Sequence, residues 1–146
     1  MSKIIVPKAL AYQTADPEIQ REMESVKAYI DCIDFDSDPN ISVVLLQGRY
    51  SDFEKKMNTV IAFVNRLPKA IKELHCVLTI FSEVQGVEFA KATMNFTEDF
   101  MGELLSEDIM LVHINIPVKG LTYDKIFTNK ELGYEVNDVR VTYLEE

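Results

Sequence analysis

Apolar positions recur along the chain with two different periods, and the period decides which element each stretch predicts. From Ile19 to Ile33 the apolar residues Ile19, Met23, Val26, Ile30 and Ile33 advance by 4, 3, 4 and 3, which is one stripe of an amphipathic helix. Asp16 precedes Pro17, so the helix has a side-chain N-cap and a proline where the missing N–H costs nothing. Ile41–Gln47 is instead a near-continuous β-branched and aliphatic run of strand length, the pattern of a strand buried on both faces.

The remaining stretches extend this reading. Ser51-Asp52-Phe53-Glu54 has the form of a capping box, and Phe53, Met57, Val60, Ile61, Val64 and Leu67 supply the apolar face of a second helix that Pro68 ends, with Ile71 and Leu74 in a short further turn. Cys76–Phe81 predicts a strand, Gln85-Gly86 a turn, and Val87–Phe96 a longer strand. Thr97 is placed to cap a short helix carrying Phe100, Met101, Leu104 and Leu105, and Ile109–Pro117 alternates as a strand does. Lys130–Val136 and Val139–Leu144 read as a hairpin about Asn137-Asp138, a weaker turn signal than Asn-Gly.

The order over residues 41–117 is therefore strand, helix, strand, strand, helix, strand. It predicts one α+β domain over residues 1–146: an antiparallel sheet with helices on one face, built on a ferredoxin-like βαββαβ core. An N-terminal strand and helix and a C-terminal hairpin extend it. The alternative is another helix-and-sheet sandwich in which the N-terminal helix is an integral layer. The chain has 146 residues, 47% hydrophobic and 27% charged, enough for one core and too few for two comfortable ones. It has no apolar run of the ~18 residues a membrane helix needs, and Ile4-Ile5-Val6 is too short for a signal sequence. With only Cys32 and Cys76, no disulfide framework is expected. These features predict a cytoplasmic protein with reduced thiols and no membrane partner.

Charge sharpens the picture. The formal net charge is −9, which argues against nucleic acid, because phosphate binding draws on Lys and Arg. Residues 16–38 hold Asp16, Glu18, Glu22, Glu24, Asp31, Asp34, Asp36 and Asp38 against Arg21 and Lys27. Residues 98–108 hold Glu98, Asp99, Glu103, Glu107 and Asp108 with no base. Between them, residues 49–72 carry six bases, Arg49, Lys55, Lys56, Arg66, Lys69 and Lys72, against Asp52 and Glu54.

No reactive grouping accounts for these acids. Asp34 to Asn40 spaces oxygen ligands like the start of a calcium loop, but its sixth position is Pro39 and its twelfth Leu45, so the second half is missing. Gly86 and Phe89 fit an RNA-recognition strand only in part, and the first strand has no stacking aromatic. His75 and Cys76 are adjacent, which sends them to opposite faces of a strand, and His113 and Cys32 are isolated. No metal, cofactor or nucleophile site is therefore expected. The five glycines are solitary and form no phosphate loop.

Massed carboxylates without chemistry to serve suit a docking surface for a basic partner protein. The expected function is that of a non-enzymatic acidic binder that inhibits or neutralises such a partner, in the physical manner of immunity proteins and phage anti-defence inhibitors. The residues expected to carry it are Asp31, Asp34, Asp36 and Asp38, with Glu98, Asp99, Glu103 and Glu107. Two alternatives belong to other classes: an assembly subunit such as a virion component or self-associating scaffold, and a small-molecule-sensing ferredoxin-like domain. A homodimer or higher homo-oligomer is compatible with each.

Overall fold

Asp16 caps the first helix as its position before Pro17 requires. In the computed structural model, which describes residues 3–35 and 38–144, its carboxylate accepts the Glu18 N–H at 2.9 Å. Helix α1 then runs Pro17–Asp31, with Val26 and Ile30 buried.

The rest of the chain is mostly strand. Strands make up 50% of the described residues and helices 19%, a proportion that rules out the ferredoxin-like core. The strands are β1 (Ile4–Ile5), β2 (Ile41–Ser51), β3 (Lys56–Asn65), β4 (Ile71–Ser82), β5 (Glu88–Phe89), β6 (Ala92–Phe96), β7 (Ile109–Lys119), β8 (Lys125–Thr128) and β9 (Leu132–Tyr143). They form two sheets: a larger one in the order β1-β7-β3-β2-β8, with β5 also paired to β7, and a smaller one in the order β6-β4-β9. A 3-10 segment (Lys8–Ala15) follows β1, and a one-turn helix α2 (Glu98–Met101) follows β6.

The decisive correction lies at residues 53–67, expected as a helix and found as β3. Its side chains alternate between two cores. Ile61 and Phe63 join the cluster shared with the smaller sheet through Leu74, Cys76, Leu78, Met94 and Phe96. Val60, Ala62 and Val64 join the cluster under Val26 and Ile30 of α1. A strand buried on both faces has no polar positions to reveal its period of two, so the apolar residues also fit a helical stripe. Phe53, assigned to that stripe, is 94% exposed at the β2–β3 turn. The Ser51–Glu54 signal is real but local: the Glu54 N–H reaches Ser51 Oγ at 3.4 Å. The Lys55 N–H closes the turn on the Ser51 carbonyl at 2.8 Å, with Lys55 at φ 57°.

Three further expectations change. The strand read over Val87–Phe96 splits, because β5 pairs with β7 in one sheet and β6 with β4 in the other. The helix after Thr97 is a single turn, and Leu104 bridges to Ile71 instead of extending it. The C-terminal hairpin is one continuous strand, β9, in which Asp138 and Val139 together oppose Cys76 as a bulge. Helix α1 forms a layer on the larger sheet, as the alternative sandwich expected. Among the described residues no helix is long and apolar enough to cross a membrane.

Candidate functional site

The strand ends decide where the expected acids sit. β2 begins opposite the end of β3, with Ile41 paired to Asn65, and β7 begins there too, with Ile109 paired to Val64. Arg66 donates its backbone N–H to the Asn40 carbonyl at 2.9 Å, and Glu107 donates its own to the Asn65 carbonyl at 2.6 Å. The loop of Asp34 and Asp38 and the loop of Glu103 and Glu107 are thereby drawn to the same end of the larger sheet. All four are exposed. Asp31, at the end of α1, is held by Lys27 Nζ at 2.7 Å. Asp36 lies outside the described residues.

Three of the expected acids share one concave surface. Glu98, Asp99 and Glu103 line a groove of about 730 Å³ between α2, the 3-10 segment, β1 and α1. Its floor is apolar, from Ile4, Ile5 and Val6 on one side and Met23 and Met101 on the other. The floor exists because β1 pairs in parallel with the start of β7, Ile4 opposite Ile109 and Ile5 opposite Met110, which sends alternate side chains toward different cores. Val6 is 8% exposed and Met101 1%. The turn after α2 is made by Gly102 at φ 72°, and its Cα side lies against the Lys8 side chain. Lys8 is the one base lining the groove.

Some acids elsewhere on the molecule are paired within the chain. Asp52 is bonded by Lys55, Asp138 by Arg140, and Glu131 by Lys125. The Thr128 backbone N–H, reinforced by Lys125, holds the Glu131 carboxyl below its ordinary range. Among the described residues, Glu98, Asp99 and Glu103 have no ion pair and no side-chain hydrogen bond. Sequence reading found these three acids but did not bring Lys8, Met23, Met101 and Ile4-Ile5-Val6 together with them: it placed the two methionines on helix faces and the triplet in an N-terminal strand too short for an export signal. Val6-Pro7, apolar residues ahead of a break, was the available clue.

Other polar groupings do not converge on this groove. On the open face of the smaller sheet, His75 Nε2 and Arg140 each lie 3.2 Å from Asp138 Oδ2. On the larger sheet, His113 Nε2 is 2.7 Å from Glu22 Oε1 at the edge of α1. Among the described residues no group of three or more His, Cys, Asp or Glu side chains is arranged to hold a metal. His75 and Cys76 do face opposite ways: Cys76 is fully buried, and burial pushes its thiol up to about 11. Comparison of the chain with protein-family models, with curated proteins and with solved structures returns no match.

Proposed function

We propose that the protein is a non-enzymatic binder that receives a basic, amphipathic segment of a partner protein in the groove between α2 and β1. One observation carries this reading: three carboxylates that form no ion pair within the described residues line a groove with an apolar floor, with Lys8 as its one base. Lys and Arg side chains of the partner would meet Glu98, Asp99 and Glu103, while its apolar side chains cover the part-exposed Ile4, Ile5 and Met23. Opposite charge at the rim speeds encounter and fixes register, whereas the buried apolar contact supplies most of the affinity. Asp34 and Glu107 extend the negative field at the same end of the sheet. Asp31 contributes less, since Lys27 already neutralises it. Inhibition follows if the captured segment belongs to the partner's own working surface. Free thiols at Cys32 and Cys76 suit a reducing compartment, so we place the protein in the cytoplasm.

The test is binding of a labelled amphipathic Leu/Lys peptide by fluorescence anisotropy at about 30 and about 300 mM NaCl, a range over which exposed charges become screened. The triple reversal Glu98→Lys, Asp99→Lys, Glu103→Lys is compared with an equal reversal at the exposed residues Glu24, Glu54 and Glu135. The groove variant is expected to lose at least about tenfold in affinity, and the control much less. Equal loss in both variants would reduce the effect to net charge and remove the groove reading.

A further inference from the structure

The end of the larger sheet opposite the acidic groove has the complementary make-up. β3 runs from Lys56 opposite Pro117 to Val64 opposite Ile109, and β1, part of the groove floor, pairs at Ile109. Eight residue steps of strand, at about 3.4 Å each, put the β2–β3 turn about 27 Å from the groove.

Three exposed large apolar residues gather at this far end. Phe53, in the turn, is 94% exposed, Tyr123 56% and Ile126 54%. The Asp52 N–H ties the turn to the loop of Tyr123 by donating to Asp124 Oδ1 at 2.8 Å, and Ile126 stands opposite Arg49 of β2. Single exposed apolar residues are ordinary on a surface, whereas a group of them marks a contact.

The charge here is opposite to that of the groove. Residues 49–56 and 117–125 carry Arg49, Lys55, Lys56, Lys119 and Lys125 against Asp52, Glu54 and Asp124, a basic excess in a chain of net charge −9. Lys55 is paired with Asp52 and Lys125 with Glu131, and Glu88 of β5 stands opposite Lys119. Arg49 and Lys56 are exposed and form no ion pair among the described residues. Glu54 is the open acid beside them. A cationic, aromatic turn and an anionic groove with an apolar floor are surfaces that suit each other. The turn cannot reach the groove of its own chain, so the fit is between copies.

On the reading of the groove given above, we infer that it receives the Ser51–Lys56 turn of a second copy of this chain. Phe53 covers the part-exposed Ile4, Ile5 and Met23, while Lys56 and Arg49 face Glu98, Asp99 and Glu103. A contact between two different surfaces leaves one free turn and one free groove on every pair, so association continues into open chains or a ring. A basic segment of another protein competes with the turn for the same groove.

Sedimentation of the full chain between about 10 µM and about 1 mM, a range that reaches weak contacts, is expected to show a mass that climbs past the dimer. Two variants divide the contact. Phe53→Ser, Lys55→Glu, Lys56→Glu alters the turn and keeps the groove. Glu98→Lys, Asp99→Lys, Glu103→Lys alters the groove and keeps the turn. All six positions are exposed, and circular dichroism checks that both variants fold. Each alone should lose association by at least about tenfold. Their equimolar mixture should form a dimer and nothing larger, because it offers one intact groove to one intact turn. The turn variant should bind the Leu/Lys peptide at least as tightly as the parent. A parent that is monomeric at about 1 mM or stops at a dimer would overturn the inference, as would a turn variant that associates like the parent or a mixture that stays monomeric. Peptide binding retained in any of those cases leaves the groove reading standing, whereas its loss in parent and turn variant alike removes both.

Discussion

The Cβ that Gly102 lacks would stand 3.0 Å from the Cβ of Lys8, so the turn after α2 and the 3-10 segment touch through the absence of a side chain. Gly102 also holds φ 72° and ψ −147°, a region that residues with side chains enter at a cost of about 1–3 kcal/mol. Gly102→Ala is therefore expected to lose stability of that order in urea unfolding. It should also push the segment carrying Lys8 away from Glu98, Asp99 and Glu103, widening the proposed binding groove. A variant as stable as the parent, with unchanged peptide affinity, would show that this close approach positions nothing.

The turn that carries Glu103 and Glu107 is fastened by Asn65. Its side-chain amide donates to the Lys69 and Leu104 carbonyls, each at 3.0 Å, and its side-chain oxygen accepts the Leu67 N–H at 3.0 Å, with Asn65 itself at zero exposure. Asn65→Ala abandons all three bonds and is expected to cost about 2–4 kcal/mol, since buried groups left without partners are costly. Asn65→Asp keeps the acceptor but sets a carboxylate against two carbonyls, and should cost at least as much. Chemical denaturation ranks the two, and Asp milder than Ala would contradict the bonding scheme.

Cys76 gives stability an alkaline dependence. Burial at zero exposure raises its thiol from an ordinary value of 9.0 to about 11. Below pH 9 the thiol is protonated in folded and unfolded chains alike, and the burial is fully tolerated. Between pH 9 and about 11 the unfolded chain releases the proton while the folded chain keeps it, so stability falls as pH rises, by up to about 3 kcal/mol from this group. Urea midpoints from about pH 8 to about pH 10.5 should fall more steeply in the parent than in Cys76→Ala. A thiol reagent at about pH 8 should label exposed Cys32 and spare Cys76. Parallel pH profiles in parent and variant would remove this contribution.

How much of this was legible follows from where water enters the structure. α1 has one wet face, so Val26 and Ile30 stand out against Glu24, Lys27 and Asp31, and both its cap and its stripe were readable. β7 was found because Met110, Val112 and Ile116 face the inter-sheet core while His113 and Asn115 stay partly or fully exposed. β3 was lost because α1 dries one of its faces and the smaller sheet the other, leaving Val60 to Asn65 buried without a break. The groove was half legible: charge marked Glu98, Asp99 and Glu103, but its floor depends on β1 pairing with β7 across more than a hundred residues, and no local pattern carries that.

Asp138 bears on whether β9 joins other copies of the chain. β9 is an uncovered edge of the smaller sheet, and long regular edges pair with one another. Here Asp138, at φ 55°, and Val139 together oppose Cys76, so the ladder steps between Asn137 opposite Val77 and Arg140 opposite His75. Such a bulge twists an edge and spoils its register for a partner strand. Deleting Asp138 would leave Asn137, Val139 and Arg140 in regular sequence, with Val139, now 44% exposed, turned inward beside Cys76. The exposed contacts of Asp138 with His75 and Arg140 are worth at most about 1 kcal/mol, and burying Val139 returns about as much. Stability should therefore change little while the edge becomes continuous. Light scattering across a concentration series is expected to show the deletion variant associating more strongly than the parent. Equal masses at every concentration, with the variant folded by circular dichroism, would mean that the bulge does not guard this edge.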